Sequence, residues 1–136
     1  MRTRPCSKCG RNRAEKFYVS PKGHVCSTCR KSRSRRATKN RRITTTYGIT
    51  IEEYEKLLLF QEGACAICFG LRPTLDIDHD HAVEKALGSR ASVRGLLCRS
   101  CNRALSYVRD DPERLRRAAD YLQAPPAYDI LEMEPE

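Results

Sequence analysis

The sequence predicts a small α+β protein in which two metal-stapled units carry short strands and amphipathic helices. Its eight cysteines fall into four C-x-x-C pairs, Cys6/Cys9, Cys26/Cys29, Cys65/Cys68 and Cys98/Cys101. Apolar residues are only 40% of the 136 and Trp is absent, so burial alone is thin, and units this small recruit metals or disulfides as staples. Short extended segments and helical stripes alternate around the last two cysteine pairs. The start "MRTRPCSKCG" has no apolar leader core, and no segment approaches the ~20 apolar residues of a membrane span. The expected setting is therefore the cytosol, where thiols stay reduced and paired C-x-x-C reads as zinc rather than disulfide. A thioredoxin-like reading would need a βαβ pattern, which is absent. Two pairs complete one closed tetrahedral site, so two structural Zn²⁺ are expected. One sits on Cys6, Cys9, Cys26 and Cys29, the other on Cys65, Cys68, Cys98 and Cys101.

Residues 1–29 are expected to form a zinc-ribbon-like unit, with strands at "KFYV" and "HVC" joined by a turn at Pro21 and Gly23. His24 is a surface or DNA-facing residue on this reading, because four cysteines already satisfy the metal. Residues 30–46 then read as a basic arm or linker, solvated or at most a frayed helix. Residues 1–42 hold 15 Lys+Arg against the single acid Glu15, a net +14, while the remainder holds 11 against 16, a net −5. A soluble spacer is the plain reading of such a run, but its density and single sign favour a phosphate-binding arm. The residues expected on DNA are Arg30, Lys31, Arg33, Arg35, Arg36, Lys39, Arg41 and Arg42.

A second domain is expected over residues 47–123. Thr50 and Glu53 have capping-box spacing, and Ile51, Tyr54, Leu57 and Leu58 follow at helical intervals, with Leu59 and Phe60 widening the apolar face. After the knuckle "CAIC", "TLDIDHDH" reads as extended and "VRGLLC" as a buried strand. "RSCNRALSYVRD" reads as a helix starting at the second knuckle. Asp110 or Asp111 caps a last helix, with Pro112 in its first turn and a stripe of Leu115, Ala118, Ala119 and Leu122. Residues 124–136 are expected to be an acidic tail, either disordered or folded back on the basic arm.

Zinc on the inner four cysteines would draw strand, strand and helix together and leave the carboxylates and imidazoles of "DIDHDH" free. Asp78, with the amide oxygen of Asn102 just past the fourth cysteine, makes a sparse oxygen site that suits Mg²⁺. A neutral His79 beside it could take a proton from water. Neighbours 78 and 79 point to opposite faces of a regular strand, so both reach one site only where the strand ends or twists.

"CAIC…LDIDHDH…VRGLLCRSCNRAL…DDPERLRRAADYL" resembles the phage recombination endonuclease VII family, a branch of the His-Me finger (HNH-like) nucleases, over about residues 45–122. The resemblance implies a ββα-metal nuclease core behind the N-terminal zinc unit. It implies Asp78 and Asn102 as ligands of a catalytic Mg²⁺, or Mn²⁺ in its place, with His79 as general base. His81 resembles a further family histidine near the scissile phosphate, and Arg94 is expected on the DNA backbone. Asp76 either assists the metal or is solvated, and Leu105 stands where relatives can supply an acid. The expected function is a Mg²⁺-dependent DNA endonuclease of phage or bacterial cytosol, with branched or junction DNA among its substrates by resemblance alone. A 136-residue chain has no room for both the long helical region and the extra domain of the best-known relatives, and a homodimer is left open although nothing in the sequence calls for one. The rivals are a non-catalytic zinc-dependent nucleic-acid binder, which has no use for Asp78, His79 and Asn102 together, and a toxin-type or homing nuclease with the same chemistry.

Overall fold

The computed structural model describes residues 2–131, which form two units dividing between Lys56 and Leu57. In the first unit, β1 (Thr3–Pro5) and β2 (Asn12–Ala14) pair antiparallel, with Thr3 opposite Ala14. The first cysteine knuckle joins them. Gly10 stands at φ +68°, which glycine adopts without a Cβ clash, and its N–H donates to the Cys6 carbonyl. The strands expected at "KFYV" and "HVC" do not form; Glu15–Phe17 is instead a single 3₁₀ turn. Tyr18 explains the difference, because its side chain plugs the core instead of lying in a ladder. Its ring is buried with Cys6 and Cys26, its hydroxyl donates to the Arg4 carbonyl at 2.8 Å, and the Arg4 guanidinium lies 4.1 Å above it. Arg4 also donates to the carbonyls of Ser20 and Pro21, so a side chain holds this segment.

The basic stretch is helical. It lies inside α1 (Ser27–Tyr47), a continuous helix of 21 residues. Like charges at i, i+4 oppose an isolated helix, so the ends must hold it. Cys26 and Cys29 anchor the first turn in the outer cysteine cluster. At the other end Ile43 is buried, and Gly48, at φ +67°, stops the helix by donating to the Thr44 carbonyl. Next, α2 (Ile51–Phe60) folds back along α1. Asn40 Oδ1 accepts from the Ile51 N–H at 2.7 Å, Arg36 pairs with Glu52 at 3.0 Å and with Glu55, and Lys39 Nζ lies 3.8 Å from the Tyr54 ring. The capping box is present, with Glu53 N–H to Thr50 Oγ1 at 3.2 Å and Thr50 N–H to Glu53 Oε2 at 2.8 Å. Ile51 and Tyr54 are buried as expected, whereas Leu59 and Phe60 are exposed.

In the second unit, β3 (Asp76–His79) and β4 (Val93–Leu97) pair antiparallel with Ile77 opposite Leu96. Leu75, Ile77, Leu96 and Leu97 are buried, as are Cys65 and Cys98. The connection between the strands is helical, forming α3 (His81–Leu87) and α4 (Ser89–Ser92). The reason is Asp80, whose Oδ1 accepts from the N–H groups of Ala82 and Val83 at 2.8 and 3.0 Å and so caps α3. Gln61 fastens β4 to the preceding chain: its amide oxygen accepts from the Leu96 N–H at 2.9 Å and its nitrogen donates to the Leu96 carbonyl at 2.8 Å. A Cβ on Gly95 would meet that amide oxygen at 3.3 Å, so glycine leaves it room.

The helix α5 (Arg99–Tyr107) starts directly after Cys98 and packs against β3. Next, α6 (Pro112–Gln123) is capped by Asp111, which accepts from the N–H groups of Glu113 and Arg114. Its expected core stripe is a correction, since every residue of α6 is exposed, including Leu115, Ala118, Ala119 and Leu122. A short α7 (Pro126–Ile130) stands in the expected tail, whose residues 132–136 lie outside the described residues.

Candidate functional site

In each cysteine quartet the four sulfurs lie within 4.8 Å of one another. The Cys6–Cys29 and Cys68–Cys98 sulfurs are 4.0 and 3.8 Å apart. Tetrahedral Zn²⁺ with bonds of about 2.3 Å sets its sulfurs about 3.8 Å apart, so both quartets have the dimensions of a structural zinc site. Their electrostatics agree. The Cys26 backbone N–H is the main cause drawing the Cys6 thiol down to about 6, and the Ser100 hydroxyl draws Cys98 to about 6. Neighbouring sulfurs, Cys26 and Cys98 first, push Cys29 and Cys101 up to about 12. Four thiolates can share so small a space only around a cation, and all eight cysteines are free of disulfides.

At the end of β3 the register slips. Asp78 faces Gly95 while His79 faces Val93, so Arg94 has no residue opposite it. Such a bulge re-aims a side chain, and Arg94 turns onto Asp78. Its Nε and Nη2 donate to the two Asp78 oxygens at 2.7 and 3.0 Å, and Nη2 reaches Asp110 at 3.0 Å. Asp80 lies 3.8 Å from Nη1. Asp78 first, then Asp110, raises the Arg94 pKa above its already high value. The Asp78 side chain is only 7% exposed, which makes it a buried carboxylate neutralised by a guanidinium.

His79, the last residue of β3, turns toward α3. Its Nε2 is 3.5 Å from Glu84 Oε2, and His81 Nδ1 is 3.7 Å from the same oxygen. The two imidazoles meet edge to face with centroids 4.6 Å apart. Ser89 donates to the other Glu84 oxygen at 3.1 Å.

The expected site residues thus fall into two adjacent groups, Asp78 with Arg94 and Asp110, and His79 with His81. Asn102 is half-buried in the first turn of α5, on the helix that packs against β3. Asp76 is exposed. Arg94, expected to reach out to DNA, is held by three carboxylates of its own chain. Sequence reasoning missed Glu84 and gave Asp110 only a capping role. Glu84 follows His81 by three residues, a helical neighbour, but "AVEKALGSRAS" reads in the sequence as a non-apolar connection.

On α1, Arg30, Lys31, Arg33, Arg35, Arg41 and Arg42 are exposed. Arg36 and Lys39 also face α2, where Glu52, Glu55 and Tyr54 engage them. Ser34, Arg35, Thr38, Lys39 and Arg42 line one shallow groove along the helix. Among the described residues, no helix is long and apolar enough to cross a membrane.

A family model described as recombination endonuclease VII matches residues 40–124. The chain is 47% identical over 94 residues to the Gene 59 protein of Mycobacterium phage D29, covering 66% of this chain and 53% of that protein. Its identity to the Gene 59 protein of Mycobacterium phage L5 is 43%, with the same coverage. The chain therefore spans about half the length of the curated relatives it matches. No solved structure matches it significantly.

Proposed function

This chain belongs to the recombination endonuclease VII family, and from that premise we propose that it is a metal-dependent DNA endonuclease with its active centre on β3, β4 and α5. In this reading β3, β4 and α5 are the strands and helix of a ββα His-Me finger. The observation that carries it is the bulge at Asp78 and His79. It sets a buried carboxylate and a half-buried imidazole side by side at a strand end, beside a helix anchored in the inner cysteine cluster.

Asp78 and Asn102 would hold Mg²⁺, or Mn²⁺ in its place, and the bound ion would stabilise the charge that develops on the phosphate. A carboxylate and an amide oxygen are donors that suit a hard cation, and in this structure the Arg94 guanidinium holds both Asp78 oxygens. Arg94 would have to give up Asp78 oxygens, and Asp110 and Asp80 offer its guanidinium a second resting place. His79 takes the proton from the attacking water as its oxygen bonds to phosphorus and the ester P–O bond breaks. His81, which is exposed, would meet the phosphate. The cations of α1 hold the backbone without reading sequence. The proposed setting is the cytosol of a phage host, consistent with the phage origin of the relatives.

The test is nicking of supercoiled plasmid, a four-way junction, a nicked duplex and a plain duplex, with and without Mg²⁺. Asp78→Asn and Asn102→Ala should each abolish Mg²⁺-dependent cleavage while zinc content stays unchanged. Absence of Mg²⁺-dependent cleavage on every substrate would sink the proposal.

A further inference from the structure

We propose that His79, His81 and Glu84 form a third metal site, selective for late first-row cations such as Zn²⁺ and Ni²⁺, whose occupation switches the nuclease off. Each of the three residues offers a ligand atom within 4.8 Å of the other two, and the nitrogens paired with Glu84 Oε2 are His79 Nε2 and His81 Nδ1. The two nitrogen–oxygen separations are 3.5 and 3.7 Å. A tetrahedral ion with bonds of about 2.0–2.1 Å requires about 3.4 Å, within a few tenths of an ångström of both nitrogen–oxygen separations.

The chemistry selects the ion. Two imidazoles and one carboxylate suit Zn²⁺ and Ni²⁺, whereas Mg²⁺ prefers an all-oxygen shell. Three protein ligands leave a fourth position for water, and half-burial of His79 and Glu84 keeps the site open to incoming ions. The ligands are also supported from behind. Ser89 holds Glu84 Oε1 and leaves Oε2 facing the rings, and Asp80, between the histidines, fixes the first turn of α3. Ser89 has no part in the proposed Asp78/Asn102 centre, whereas Asp80 also lies 3.8 Å from Arg94 Nη1.

The binding claim is independent of the nuclease reading, while the inhibition rests on His79 as general base. An ion on the His79 nitrogen occupies the lone pair that would accept a proton. Mg²⁺ at Asp78 and Ni²⁺ at His79 would then oppose each other through neighbouring residues.

Protein with both cysteine clusters loaded with zinc is titrated with Ni²⁺ by calorimetry, in parallel with plasmid nicking in Mg²⁺. One Ni²⁺ per chain beyond the zinc is expected, with binding at least tenfold weaker in Glu84→Gln and in His81→Gln. Proton NMR should show the His79 and His81 ring signals broadened by Ni²⁺. His81 is 76% exposed, so its variant separates ligation from folding if Glu84→Gln is unstable. Ni²⁺ should halve nicking at the concentration that half-fills the site. No saturable Ni²⁺ binding, or binding that survives both substitutions, overturns the site. Binding as expected with nicking undiminished overturns the switch and, with it, the role of His79 as base.

Discussion

Replacing Arg94 with Ala leaves the Asp78 carboxylate, 7% exposed, without the guanidinium that now touches it at 2.7 and 3.0 Å. Removing one partner of a fully buried ion pair costs about 3–5 kcal/mol. Arg94 is itself 32% exposed, and Asp110 30%, so water reaches part of the pair and the expected loss falls to about 2 kcal/mol. In a unit of this size that lowers Tm by roughly 8–15 °C. If Asp78 is a metal ligand, Mg²⁺ can replace the missing positive charge. At 10 mM Mg²⁺ and a Kd of about 1 mM, binding restores about 1.4 kcal/mol. The unsubstituted protein should gain less, because Mg²⁺ must first displace Arg94. The assay is thermal denaturation with and without Mg²⁺ at matched ionic strength, with Asp78→Asn/Arg94→Ala as the control in which the rescue disappears. Equal responses to Mg²⁺ and NaCl in Arg94→Ala would refute Asp78 as a ligand.

Other perturbations separate the parts. Asp111→Ala removes the α6 cap and should cost about 1 kcal/mol, read as a lower Tm, with zinc content unchanged. Cys98→Ser should lower bound zinc from two ions to one per chain by mass spectrometry and abolish cleavage, since α5 starts at that knuckle. Arg35→Gln with Arg42→Gln should flatten the salt dependence of DNA binding, read from log K against log salt, by about 0.9 for each phosphate that is no longer neutralised. An unchanged slope would return α1 to the role of a spacer.

What could be read in the sequence was what local chemistry dictates. Cysteine spacing announced both quartets, and T-x-x-E and D-P announced the starts of α2 and α6. "VRGLLC" announced a buried strand. What could not be read depended on interactions distant in sequence. Residues 30–42 read as a solvated linker or a frayed helix because they have no apolar face to bury, yet they lie in one continuous helix held at both ends. Tyr18 looked like a strand residue until Arg4 drew it into the core. The strand geometry required a break at Asp78/His79, but which residue it would displace was hidden. That residue is Arg94, and its turn onto Asp78 moves it from the expected DNA surface into the candidate site.

His79→Ala tests most directly whether this site cleaves DNA. Nicking of plasmid and four-way junction in Mg²⁺ is measured with zinc content and DNA affinity on the same samples. A general base contributes about 10²–10⁴ in rate, so cleavage should fall by at least a hundredfold while two zinc ions and DNA binding are retained. Cleavage that persists undiminished in the zinc-loaded, DNA-binding variant would contradict the assignment.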